Sequence, residues 1–424
     1  MLEDAITSAV AGHAWVGSVR RAPSGALIVR PSPDTMLLNG QPWALLGEYV
    51  ENWTNLYDWA FRAADLDEVA DADIAGLTST NRKLPESCVR EWVDDTVALI
   101  IESRPRRLLE LGCGTGLLLR HLYDSIGCYV GADVSRYAVD RIRSARLPRA
   151  HAVIAGAHDI GSRQIKRAMS DVMGAGQRPD CVLINGVAHC FPSTEYLASV
   201  LSRAIDLVED GGRVILGDLR HLGLRDEYLD WLALDEELGS GRFHDEEELF
   251  VDPRLISYFA EIADREVKVS VRAKCMSGDI EITRYRYDMV LYVDAKTEKL
   301  TTREMRWEDL SGDRLETLSL LAKAGPVVVT EIPNALLDSH PDSVTANALS
   351  AVLKGTGLVV AMSHETPTRL EVRPAGGDIP NTRAMPPQDE PLKRFAARRL
   401  PELLRGYLAE TFPGARLPEI IVYP

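Results

Sequence analysis

The sequence predicts an α/β fold: a Rossmann-like domain with a mostly parallel, twisted sheet. Two observations carry this. From Arg107 to about Arg220, short apolar runs alternate with helical segments, and buried strands separated by helices form βαβ units with a parallel sheet. The first run ends in a glycine-rich turn that opens a helix, as turns do where a ligand must approach the backbone.

Along the chain, residues 3–11 have helical spacing, and 15–19 and 26–29 read as strands around the turn Pro23-Ser24-Gly25. Pro31 to Pro33 closes that piece. Residues 47–63 form an aromatic-rich helix pattern with Tyr49, Trp53, Tyr57, Trp59 and Phe61, followed by a polar, acidic loop. A helix over 86–102 enters just after Pro85 and carries Val89, Trp92, Val93, Thr96, Val97 and Ile100 toward one side. The apolar runs of the sheet are 108–111, 129–132, 152–154, 181–184 and 214–216. Residues 223–260 read as helical, with 235–237 and 245–248 as solvated acidic faces. Two strand-like runs follow, 266–273 and 285–293. A smaller α/β pattern has a helix at 313–323, a strand at 326–329, a helix near 344–355 and a strand at 358–362. A Pro-rich linker over 376–391 leads to a helix at 392–410 and a short strand at 419–423. No internal repeat is present. The domains expected are 1–44, then 45–375 (a cofactor core at about 86–222, a substrate region at 223–300, an extension at 301–375), then 376–424.

The 424 residues suffice for one large domain with additions or for two to three ordinary ones. Apolar residues make up 46% and charged residues 26%, which fits a globular chain. The net charge of −15 argues against binding a phosphate backbone, so no nucleic-acid partner is expected. Six cysteines with no CxxC pair read as reduced thiols of a cytoplasmic protein. No charged head with an apolar stretch and cleavage site occurs, and no apolar run approaches the roughly 18 residues of a membrane span. The nine histidines are scattered without HExxH spacing, so no metal is expected, and no GxSxG motif occurs.

The strongest signal is Leu109-Glu110-Leu111-Gly112-Cys113-Gly114-Thr115-Gly116. Nucleotide-phosphate loops use GxGxxG, whereas here Gly116 follows Gly114 by two. A tighter turn without an anion cradle suits S-adenosylmethionine, which has no pyrophosphate. Glu110 at the strand end would repel a pyrophosphate but attract an ammonium or sulfonium charge. Asp133, about twenty residues on at the next strand end and followed by Val134, can accept both ribose hydroxyls. Further strand ends complete a cleft. Asp159 offers an acceptor for an adenine amino group, or else caps a helix. Asn185 and the backbone around Val187 line the methionine side.

The chain resembles the methyltransferase domains embedded in the adenylation domains of nonribosomal peptide synthetases. The resemblance rests on the stretches 52–58, 109–116, 180–192 leading to Glu195-Tyr196-Leu197, 211–220 and 283–288, and covers about 45–375. It implies the fold of a class I methyltransferase and, as acceptor, an aminoacyl group held as a thioester on a carrier protein. Residues 1–33 and 392–424 resemble the strand pair and closing helix and strand of an adenylation domain, which implies a small α/β remnant subdomain formed by the two chain ends. The large ATP-binding portion and the closing Gly-Lys pair are missing, so no amino-acid activation is expected.

Methyl transfer from a sulfonium needs a neutral or anionic nucleophile held in line, and positioning supplies most of the acceleration. A free α-amino group has a pKa of about 8, and an acceptor that orients it adds about 100-fold or more. Asp218, after the strand at 214–216, is the first candidate to orient or deprotonate the amine. Arg220 could hold a carbonyl or carboxylate through its planar fork, or pair with an acid. Glu281 is a second acceptor. His189 beside the cofactor loop could serve as base or bond to backbone. Tyr57 with Trp53 could form a lid over the cofactor or belong to the core. The basic stretch 392–400 could dock an acidic carrier or be a solvated helix face. Three readings stay open: an N-methyltransferase on a carrier-bound thioester, a methyltransferase acting on a free small molecule, and a non-catalytic interaction module.

Overall fold

The computed structural model describes residues 2–32, 44–66, 84–234, 247–295, 301–376 and 386–423. The acidic loop expected after the aromatic helix, the acidic run 235–237 and most of the 376–391 linker lie outside the described residues.

Helix α1 (Leu2–Ala11) and strands β1 (Val16–Arg21) and β2 (Leu27–Pro31) come first, then the long helices α2 (Ala44–Leu66) and α3 (Glu86–Ile101). The core alternates strand and helix: β3 (Arg107–Leu111), α4 (Leu117–Leu122), β4 (Cys128–Asp133), α5 (Arg136–Ser144), β5 (Ala150–Ile154), α6 (Arg163–Met173), β6 (Cys181–Asn185), α7 (Thr194–Leu207) and β7 (Arg213–His221). Next are α8 (Arg225–Ala233), β8 (Phe250–Val251), α9 (Pro253–Glu261), β9 (Val267–Ala273), α10 (Glu281–Tyr285) and β10 (Arg286–Val293).

The main sheet runs β5-β4-β3-β6-β7-β10-β9, with β8 beside the end of β7. Strands β3 to β7 are parallel, and β10 is antiparallel to both its neighbours. Each central strand is apolar on both faces because both are covered. Leu109, Val130, Val182 and Leu216 face one layer, while Leu108, Tyr129, Leu183 and Ile215 face the other. The strand order reverses at β3, which lies between β4 and β6, and this opens a crevice beyond the carboxyl ends. The Ser135 hydroxyl accepts the Ala138 N–H and starts α5 where β4 ends.

The first of these layers continues into a second sheet, β11 (Arg303–Arg306), β12 (Val327–Pro333), β14 (Arg369–Pro374) and β13 (Leu358–Met362), in that spatial order. Helices α11 (Arg314–Ala324) and α12 (Ala346–Leu353) accompany it, and Leu318, Val329, Leu349 and Leu370 belong to the same buried cluster as the main sheet. The sequence reading missed β11 and β14, which are short and heavily charged.

The two ends meet. Strand β15 (Ile420–Val422) pairs parallel with β2. Helix α13 (Pro391–Thr411) buries Leu400, Leu404 and Leu408, spaced four apart, against Ile6, Leu27 and Val29. Burying each leucine stabilises by roughly 1.5–3 kcal/mol. One turn earlier, Phe395 packs edge-on against Tyr49 of α2, with ring centroids 5.5 Å apart.

Two expectations are corrected here. Glu247 and Glu248 are not on a solvated face but buried, because arginines remote in sequence meet them. The basic stretch on α13 is not a purely solvated face but makes ion pairs within the protein: Arg398 with Glu247 at 2.5 Å, Arg399 with Glu48 at 2.5 Å, and Arg394 with Asp389. These pairs fasten α13 to α2 and to the segment before β8.

Candidate active site

Beyond the ends of β3, β4, β6 and β7 lies a cavity of about 210 Å³. Its floor is the glycine turn. Gly112 and Gly114 have φ of +77° and +49°, which L side chains rarely adopt. A Cβ on Gly112 would stand 2.7 Å from Val187, so the turn and the β6 loop touch backbone to side chain with no room between.

Two carboxylates flank the turn. Glu110 is fully buried and accepts the Tyr129 hydroxyl at 2.5 Å. Burial pushes its carboxyl up to about 8, against the pull of the Tyr129 hydrogen bond, and Asp133 adds to the rise. A cationic ligand would relieve that penalty. Asp133 accepts the Gly114 N–H on one oxygen and the Ser135 N–H on the other, each at 2.8 Å. Each oxygen keeps a lone pair for a further donor such as a hydroxyl. Burial raises the Asp133 pKa as well. Val134, Val187 and Asn185 also line the cavity. The Asn185 amide oxygen lies 1.8 Å from where a Cβ on Gly217 would be, so only glycine admits it there. Asp159 stands apart from the cavity: its carboxylate accepts the Gly156 N–H at 3.2 Å and closes the turn at 157–159. Ala155 and Ala157, on either side of the same turn, line the cavity wall instead.

Helix α2 supplies an aromatic wall. Trp53 stacks on Tyr57 with rings 6.1 Å apart and 26° off parallel, and Tyr57 leans on Phe61. All three line the cavity, and Phe61 covers Gly114. The Tyr57 hydroxyl lies 3.0 Å from Nε2 of His189. His189 lines the cavity too, and its Nδ1 has no hydrogen-bond partner among the described residues. Burial first, then the charges of Arg286 and Arg220, lower its pKa well below the usual histidine value. It is a neutral ring and a weak proton acceptor.

The acceptor end is built from paired charges. Asp218 lines the cavity from a left-handed kink in β7, with φ of +58°. Its Oδ2 accepts Trp92 Nε1 at 2.7 Å and its Oδ1 meets Lys274 Nζ at 2.6 Å. Its own N–H donates to Asp288 at 2.9 Å. Arg220, 1% exposed, sits behind the wall between Glu248 and Glu281, 2.8 Å from each, with its guanidinium over the Tyr228 ring. Glu281 also holds Arg286 at 2.6 Å. The two arginines and two glutamates balance, as a buried ionic group must. Of the four, Arg286 alone lines the cavity. Arg220 and Glu281 thus do not line the cavity as expected, because each is turned to buried partners of opposite charge. Trp92, Lys274 and Arg286 were missed. The signal available was weak: Lys274 just past a strand end, and Arg286 at the start of a mostly apolar strand.

Comparison with known proteins agrees with this geometry. Residues 82–250 match the family model of a methyltransferase domain. The chain carries a methyltransferase domain. It is 30% identical over 315 residues to a probable non-canonical nonribosomal peptide synthetase, CymA, of Salinispora arenicola (strain CNS-205), covering 70% of this chain and 4% of that protein. It is 28% identical to chondramide synthase of Chondromyces crocatus, covering 71% and 8%, and 29% identical to PF 1022-synthetase of Rosellinia sp., covering 68% and 10%. The chain spans a tenth or less of the length of these relatives.

The cofactor that the sequence points to for such a domain is S-adenosylmethionine. The residues present fit that group: Glu110 is a buried acid that needs a cation, Asp133 has lone pairs for hydroxyls, and the glycine turn leaves no anion cradle. Among the described residues, no helix is long and apolar enough to cross a membrane.

Proposed function

We propose that the protein N-methylates the amino group of an aminoacyl thioester on a carrier protein, in the cytoplasmic assembly of nonribosomal peptides. One arrangement carries the reading: an acceptor, Asp218, and a cation, Arg286, line the same cavity as the Glu110–Asp133 cradle. An α-amino group and the carbonyl beside it are the complement of that pair. The identity to synthetases over about 70% of the chain supports the same context.

When bound, S-adenosylmethionine supplies an electrophilic methyl group. The residues do the rest. Asp218 accepts an N–H of the amine and turns its lone pair toward the cofactor. Arg286, oriented by Glu281, donates to the carbonyl, and Arg220 with Glu248 holds Glu281 in place. The neutral His189 and the α2 aromatic stack exclude water. The bound amine exchanges its proton with solvent and is methylated in its neutral form, and the methylated ammonium then gives up a proton to solvent.

The test uses isotope-labelled S-adenosylmethionine with aminoacyl-loaded carrier protein and, separately, the free amino acid, read by mass spectrometry. Label on the carrier-bound amine is expected. Label on the free compound alone, or on oxygen or carbon, would replace this reading with a free-standing tailoring methyltransferase.

A further inference from the structure

Lys274 follows β9 and is 1% exposed, and its ammonium touches carboxylates: Asp218 at 2.6 Å and Asp288 at 2.7 Å. Asp95 on α3 adds its field. Burial opposes the lysine charge, yet the three acids outweigh it and hold its pKa above the ordinary value. Among the groups around this cluster are Asp95 and Glu91 from α3, Asp218 from β7, Asp288 and Arg286 from β10, and Arg272 from β9. Asp95 is raised to about 6 by burial, with Lys274 opposing.

A lysine there is not needed to fill space, since an apolar side chain would do so without desolvating an ion. What it changes is the character of Asp218. A bare carboxylate in a dry cavity favours an ammonium ion beside it, and an ammonium has no lone pair to give. A carboxylate already paired on its far side still accepts a hydrogen bond but pulls less on the amine's proton.

We infer that Lys274 is a positioning residue that holds Asp218 as a charge-balanced hydrogen-bond acceptor, so that the substrate amine stays the neutral nucleophile. This rests on the amine-methylating reading above. The Trp92 N–H and the Asp288 carboxylate complete the mount: one fixes the second oxygen of Asp218, the other its backbone N–H at the left-handed kink. The kink is strained for a residue with a side chain, and such strain persists only when its surroundings over-determine it.

The experiment compares wild type, Lys274→Met and the double variant Lys274→Met/Asp288→Asn. kcat and KM for aminoacyl carrier are measured from pH 6 to 10, and S-adenosylhomocysteine binding is measured by calorimetry. The double variant removes one acid along with the lysine, so it reads the same effect if the single variant does not fold. In the variants, cofactor-product affinity is expected to stay within twofold. The acid limb of kcat is expected to move up by about one pH unit, a loss of about tenfold at pH 7 that recovers at pH 9. A loss of kcat with the limb in place assigns Lys274 to folding alone and overturns the inference, as does an unchanged profile. A wild type that methylates carrier-bound amine while its variants keep the limb overturns only this inference. A wild type that never methylates the amine overturns the functional reading as well.

Discussion

The two ends of the cavity are built in opposite ways. The floor of the cofactor end comes from one short stretch, Glu110 to Ser135, and works through backbone: positive-φ glycines, strand ends and N–H groups donated to Asp133. The acceptor end comes from α3, β7, β9 and β10 and works through charged side chains that neutralise one another behind the wall. The first end tolerates no added atom. The second tolerates no unbalanced charge.

Changing the backbone end has the largest effect. Gly112→Val places a Cβ within 2.7 Å of Val187 at a φ of +77°, so strain and overpacking combine. A loss of stability of about 2–4 kcal/mol and of measurable S-adenosylhomocysteine binding is expected, by thermal melting and calorimetry. Native-like affinity would mean the turn is not the cradle.

The charge network separates its members next. Arg220→Met takes from Glu248 and Glu281 the buried cation they share, leaving Glu281 with Arg286, and is expected to cost about 3–5 kcal/mol in unfolding free energy. Arg286→Lys keeps the charge that balances Glu281 but loses the planar fork. It should leave the melting temperature within a few degrees and raise KM for the aminoacyl carrier about tenfold. Equal loss of stability in both would erase the distinction between a supporting and a substrate-facing arginine.

The smallest effect concerns protons. The Glu110 carboxyl titrates at about 8 in the folded protein and at an ordinary 4.5 when unfolded. The folded state therefore holds the extra proton between those values, and stability falls as pH rises from about 4.5 to 8. Glu110→Gln should flatten that slope in denaturant titrations. In wild type at pH 7, a cationic cofactor should release a fraction of a proton on binding, read by calorimetry in buffers of different ionisation enthalpy; the variant should release none from this site.

The same contrast explains what could be read in the sequence. Glu110, the three glycines and Asp133 are legible because strand period, turn chemistry and a carboxylate at a strand end are local properties. Lys274, Arg286 and Trp92 are not legible as site residues, because each acquires meaning from an acid the pattern does not place beside it: Asp218, 56 residues from Lys274 and 126 from Trp92, and Glu281, five from Arg286. Arg220 and Glu281 were read as reaching substrate because strand-end position cannot tell the front of a wall from its back. Glu247 and Glu248 looked solvated since they sit in an acidic run; their partners are Arg220, well before them in the chain, and Arg398, 151 residues after Glu247. Asp159 reads as an adenine acceptor or a cap, and its carboxylate does accept the Gly156 N–H as a cap would.

The parallel pairing of β2 with β15 ties a knotless ring whose circumference is nearly the whole chain. For flexible chains, closing such a ring grows only with the logarithm of its length, about 0.6 kcal/mol for each doubling. The small sheet is therefore nearly indifferent to how large a guest it encloses. What it constrains is the spacing and direction of the two strands by which the guest enters and leaves. A methyltransferase of different size could occupy the same place, provided it returned the chain to the same doorway.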